Sequence, residues 1–177
     1  MPFQSAIQYI IGRIISLSRG LPLRVLTHFV SRQGNFTDYF RGFEKNCAVR
    51  GIFGDQTDAV LRNLKVDFIW FGYMGVNDGD GHLMVNKRYL STGSKVDIYL
   101  DVIHELCHVK QHMEGRELFD PHYDYVDRPT EIEAYRYTVQ EAKRIGLSTA
   151  EIRLYLKVEW MNPEVLDRLI GNMGVDL

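Results

Sequence analysis

Cysteine is scarce in this chain. Cys47 and Cys107 are the only two in 177 residues, which excludes a disulfide-stapled scaffold and fits a reducing cytoplasm. Long unbroken apolar runs are missing as well. The most apolar stretch, Phe3 to Leu26, has helical spacing at Ile7, Ile10, Ile11, Ile14 and Ile15, but Arg13, Arg19 and Arg24 interrupt it. It is too broken for a membrane span or a signal-peptide core and reads as a helix packed on the rest of the protein, with membrane-surface or partner-helix binding as the alternative. Basic charge shows no excess: the formal net charge is −2 and Lys and Arg are dispersed, which excludes the electrostatic footprint of a nucleic-acid binder. The chain has no internal repeat, low-complexity tract, long linker or helix-turn-helix pattern. What remains, 45% hydrophobic and 25% charged, is one globular domain spanning 1–177, within which 1–50 forms a possible helical N-terminal subdomain.

Against this plain background one run stands out, His104-Glu105-Leu106-Cys107-His108. Two histidines four apart on an α-helix share a face and lie about 6 Å apart along the axis, so both imidazoles can reach one tetrahedral ion. Glu105, about 100° round from His104, cannot join them as a ligand but can reach the metal's open side as a base. The flanking residues predict the helix this requires, from Lys95 to Met113: Ser94 caps it, Ile98, Val102, Ile103, Leu106, Cys107 and Val109 give apolar positions at helical spacing, and Gly115 stops it. His112 continues the face but stands about 12 Å from His104, too far to share the ion.

A third ligand is expected from a second helix that opens at Thr130-Glu131-Ile132-Glu133-Ala134-Tyr135, runs to about Ile145 and ends at Gly146. Stepping from Glu131 by three or four residues gives Ala134, Tyr135, Thr138, Ala142 and Ile145, a face suited to packing on the first helix. The same walk from Glu133 gives Arg136, Tyr137, Gln140, Glu141 and Arg144, a solvated face, and Glu133 stands at capping-box spacing from Thr130. Glu131 is therefore favoured over Glu133.

With these residues in place the chain resembles the gluzincins, metallopeptidases that hold zinc through the two histidines of an H-E-x-x-H helix and a glutamate from a later helix. In compact bacterial members similar to the ImmA/IrrE peptidases the second helix reads E-x-x-A, and Glu131 to Ala134 match it; aspartate four after the glutamate, found in another form, is Tyr135 here. The resemblance implies His104, His108 and Glu131 as Zn2+ ligands, Glu105 as general base, and hydrolysis of a peptide or protein substrate. It implies a zincin-like α+β fold, a small antiparallel sheet beside the two metal helices with further N- and C-terminal helices. Two other functions are weighed beside it: a non-catalytic metal-stabilised binding or scaffold protein, and a regulatory peptidase dedicated to one protein partner.

Supporting groups are expected around the metal. A second oxyanion donor would come from His122, Tyr123 or Tyr125, and Asp101, Asp124 or Asp127 would orient the ligand imidazoles. Val66 to Met74 and Gly81 to Leu90 read as a hairpin closed by Asn77-Asp-Gly-Asp-Gly81, with Gly81 to Asn86 as the edge strand that receives substrate; this acidic turn is read as a tight turn in preference to a calcium loop. Ser148 with Glu151 predicts a helix to about Trp160, and Asn162-Pro163-Glu164 opens another to Ile170. Cys47 as a latch on the fourth zinc position is a minor alternative to an ordinary small apolar residue.

Overall fold

The computed structural model describes residues 24–25 and 33–177. In chain order they form β1 (Arg24–Val25), β2 (Gln33–Asn35), α1 (Phe36–Tyr39), β3 (Phe40–Arg41), α2 (Cys47–Phe53), α3 (Thr57–Asn63), β4 (Lys65–Ile69), β5 (Met74–Val76), β6 (Leu83–Asn86), α4 (Lys87–Thr92), α5 (Lys95–Met113), α6 (Pro129–Arg144), α7 (Thr149–Leu156) and α8 (Pro163–Met173). Helices and a small sheet make this an α+β arrangement. Of the stretch expected as a helix over Phe3 to Leu26, only Arg24–Val25 is described, and these two pair as a strand with Phe40–Arg41; the remainder lies outside the described residues. No described helix is long and apolar enough to cross a membrane.

The main sheet has the order β2-β4-β6-β5. It is mixed, and this corrects the antiparallel expectation: β4 runs parallel to β6, with Val66 opposite Leu83, while β5 and β2 are antiparallel to their neighbours. The single strand expected over Val66 to Met74 is broken after Ile69 by Trp70-Phe71-Gly72-Tyr73, where Gly72 takes φ +70°, so the hairpin is made by β5 and β6 alone. A second correction follows. Gly81 to Asn86 is not an edge, because β6 lies between β4 and β5; the edge beside α5 is β5. Asn86 ends β6 by capping α4, its Oδ1 accepting from the backbone of Arg88 at 2.8 Å.

Helix α5 is the structural axis. Ser94 caps it, accepting from the Asp97 amide, and Gly115 at φ +73° follows its end. Thirteen of its nineteen residues are buried, as expected of a helix covered nearly all round. Residues 36–53 join the same core, since Phe36, Phe40, Phe43 and Val49 cluster with Tyr99, Val102 and Ile103.

Helix α6 packs along α5, with Ala134, Thr138, Val139 and Ala142 fully buried. Small residues at these positions let the two helices approach closely enough for side chains on both to meet. Helix α7 has the Ser148–Glu151 capping box but stops at Leu156, short of the expected Trp160; α8 opens at Asn162, whose side chain accepts from the Val165 amide. Arg136 of α6 ties down the end of α8 by donating to the carbonyls of Met173 and Asn172.

Candidate metal centre

His104 and His108 lie one turn apart on α5 and are nearly enclosed, at 7% exposure each, and Glu131 projects to them from the first turn of α6 at 4%. The two Nε2 atoms are 3.0 Å apart, and Glu131 Oε2 lies 3.2 Å from that of His104 and 3.5 Å from that of His108. Donor atoms around a tetrahedral ion at zinc bond lengths stand about 3.3–3.4 Å from one another, so this triangle matches one face of such a tetrahedron. Among the described residues these three form the group whose donor atoms converge closely enough to hold a metal ion.

The donor set behaves as one that wants positive charge. Glu131 Oε2 is buried without a hydrogen bond despite its closeness to both rings. Burial favours neutral Glu131, but the facing His104 and His108 outweigh it and hold the carboxyl well below its usual range. Burial likewise pushes the His108 imidazole down, yet the Glu131 contact and the Glu105 and Glu131 charges prevail and raise it to about 9. A proton or a cation can supply that charge, and the two compete for the same nitrogen lone pairs. A divalent cation fits the residues present.

Glu105 is buried beside the two histidines, and burial raises its carboxyl pKa against their opposing pull. Glu133 stands elsewhere. Its carboxylate accepts from Gln111 Nε2 at 3.0 Å and from Arg116, so it does not reach the histidines. Nor does it cap α6 with Thr130: the N-cap is Arg128, and the Thr130 hydroxyl donates to the Leu118 carbonyl at 3.1 Å. The face expected to be solvated is also partly buried, because Glu141 accepts from Tyr99, Asn46 and Arg144 inside the α2, α5 and α6 contact.

The expected imidazole orienters are engaged in other bonds. Asp101 accepts from the hydroxyls of Tyr89 and Tyr155, Asp124 pairs with Arg168, and Asp127 accepts from Asn172. Gln111 does this work for His108 instead, its Oε1 lying 2.7 Å from Nδ1 while its Nε2 donates to the Thr130 carbonyl at 2.9 Å. Gln111 is fully buried and so joins α5 to the start of α6 at the ligand turn. A glutamine three residues after His108, on the same face of the helix as the ligand histidines, is the available sequence signal. His104 Nδ1 is buried with no partner.

Of the three loop residues proposed as oxyanion donors, His122 is exposed and bonded to Asp120, and Tyr123 is exposed. Tyr125 alone borders the centre. Its hydroxyl lies 2.8 Å from that of Tyr135, whose ring meets the His104 ring edge-on at 4.5 Å between centroids. Cys47 is exposed at the start of α2 and outside the converging group. The Asn77 to Gly81 segment is a turn closed by the Gly81 amide on the Asn77 carbonyl at 2.8 Å. No protein-family model, curated protein or solved structure matches this chain.

Proposed function

We propose that this protein is a zinc-dependent metallopeptidase of gluzincin type with a zincin-like domain, in which His104, His108 and Glu131 hold Zn2+ and Glu105 is the general base. The observation that carries the reading is the meeting of three buried donors from two helices at 3.0–3.5 Å, on the helix that also places Glu105. Zinc bound there supplies a Lewis acid and a water whose pKa falls towards neutrality. Glu105 takes a proton from the attacking water onto its carboxylate and returns it to the leaving amine. Its enclosure suits this shuttle, since burial raises the carboxyl above its usual range and so favours holding the proton between the two transfers.

The other residues position substrate and ligands. Among the described residues β5 is the edge strand against α5, and an extended peptide would add there as a further strand. Tyr125, bridged to Tyr135, is the loop hydroxyl best placed to donate to a developing oxyanion.

The test is metal content by elemental analysis on folded wild type, Glu131→Gln and Glu133→Gln, followed by peptide cleavage with Glu105→Gln. Expected are one zinc per chain in wild type and Glu133→Gln, strong loss in Glu131→Gln, and retained zinc with turnover lower by about 10²–10⁴ in Glu105→Gln. No zinc in metal-replete wild type refutes the reading. Zinc without turnover of a peptide library or a co-expressed partner favours a metal-stabilised scaffold.

A further inference from the structure

Arg128 stands at the N-cap of α6, three residues before Glu131. Pro129 disfavours helical backbone at the residue before it, and Arg128 accordingly takes φ −66° and ψ 122°. An N-cap favours short side chains that accept from the first turn, and arginine forgoes that contribution to stability. The Arg128 amide donates to the Tyr125 carbonyl at 3.3 Å, so the side chain leaves from a braced turn beside the metal centre.

Of the arginines in ion pairs among the described residues, Arg128 is the most enclosed, its side chain 15% exposed against 33–52% for the rest. Each of the others also donates a hydrogen bond to a carboxylate. Arg128 Nε is instead buried with no partner, and its ion pair, Nη1 to Glu131 Oε1 at 3.9 Å, is beyond hydrogen-bond reach. Asp120 feels the Arg128 charge, but its Oδ1 accepts from the His122 amide at 2.9 Å and lies 2.8 Å from the His122 ring. Enclosing a five-donor fork without acceptors costs stability that a methionine in its place would not, and the fork's geometry matches a carboxylate.

Charge and distance say where such a carboxylate would come from. Glu131 and Glu105, the carboxylates at the two histidines, together balance a divalent cation, and Arg128 adds a positive charge to the total. The two oxygens of one carboxylate are about 2.2 Å apart, so Nη1 stands within about 6 Å of Glu131 Oε2 and about 8 Å of an ion held there. A carboxylate accepting at about 2.8 Å then lies within roughly 11 Å of the ion, no more than about three extended residues away. We propose that Arg128 binds a carboxylate of the substrate, a terminal one or that of an Asp or Glu side chain, within three residues of the scissile bond. Substrates of this class are anionic peptides, and the inference rests on the metallopeptidase reading.

The test is calorimetric binding to zinc-loaded protein of alanine tripeptides that carry a metal-binding hydroxamate at one end or the other. In each set one alanine in turn is Asp or Asn, and a free C-terminus is either carboxylate or amide, so the arms separate the two sources. The expected result is that an acidic probe binds about 10–100-fold tighter than its neutral twin at one position or at the terminus. Arg128→Met should abolish this preference while keeping the affinity for neutral probes and, by chelator competition, for zinc; Arg128→Lys, with charge but no fork, should keep only part of it. Equal binding of the twins by wild type overturns the proposal, and that comparison decides even if Arg128→Met does not fold. So does a preference that survives in folded Arg128→Met, which assigns it to another cation, and so does a loss of zinc affinity with both twins weakened alike, which leaves Arg128 merely holding Glu131. Wild type without zinc overturns the metallopeptidase reading and this inference with it, whereas zinc without preference overturns this inference alone.

Discussion

Replacing Gln111 by methionine removes one amide and perturbs two measurable quantities separately. The Oε1 atom, 2.7 Å from His108 Nδ1, fixes the tautomer that leaves Nε2 free to bind a cation. Loss of such an orienting partner typically costs 10–100-fold in metal affinity, about 1.4–2.7 kcal/mol. The Nε2 atom donates to the buried Thr130 carbonyl and to the Glu133 carboxylate, and losing these two hydrogen bonds costs about 1–3 kcal/mol of stability. Methionine keeps the volume and helix propensity, so packing changes little. Gln111→Glu separates the two effects, because it keeps the acceptor for His108 and loses both donors. Competition for zinc against a chelator should rank wild type and Gln111→Glu together with Gln111→Met weaker, whereas urea unfolding of the metal-free proteins should lower both variants. Folded Gln111→Met with wild-type zinc affinity would refute the positioning role.

Three further outcomes are expected. Gly81→Ala should lower the urea midpoint by about 1–3 kcal/mol equivalent without changing zinc stoichiometry, because Gly81 has φ +74° and an added Cβ would lie 2.5 Å from His112 Nδ1. Burial raises the Asp101 carboxyl to about 6 against the two tyrosine hydrogen bonds, so the stability that depends on its protonated form is complete below about pH 4 and lost as pH rises through 6. Urea titrations should then show wild type losing about 1–3 kcal/mol relative to Asp101→Asn between about pH 4 and 8, and a constant difference would contradict this. Stripping zinc should remove about 2.7 kcal/mol of stability relative to protein at a hundredfold excess over Kd, or about 5–10 °C in Tm by calorimetry; an unchanged Tm would mean that the site does not bind it.

The parts of the site legible in the sequence are those governed by helical spacing. Ser94, the apolar residues between Ile98 and Val109, and Gly115 define α5 by cap, period and stop, and the inward walk from Glu131 is the face that packs on α5. Partners set by tertiary contact were not legible. Asp101 looked poised to orient an imidazole one turn away, but Tyr89 and Tyr155, from different elements, claim its oxygens. Glu141 looked solvated because helical position alone cannot reveal that Tyr99 and Asn46 meet it from α5 and the N-cap of α2. The sheet departs from its sequence pattern for a similar reason. Trp70 to Tyr73 has the composition of a strand, and only the Asn86 hydrogen bonds and the φ of Gly72 turn it into a projecting loop, leaving β4 to pair in parallel with β6.

Helices α5 and α6 bury two polar clusters between them, and comparing the two separates structural burial from functional burial. At Glu141 the carboxylate accepts from Tyr99, Asn46 and Arg144, so each partner's demand is met within the protein. Such a cluster costs little to bury and has no need of a ligand. Nearly three turns along α6, towards its start, His104 Nδ1 and Glu131 Oε2 lack hydrogen bonds, and two imidazole Nε2 atoms face each other at 3.0 Å. A protein selecting only for stability would replace this group by apolar side chains of similar volume, since an incomplete polar cluster is worse than none. Its donors converge at the separations of a tetrahedral face, and a single divalent cation would satisfy both nitrogens and the carboxylate at once, which neither one proton nor a water can do.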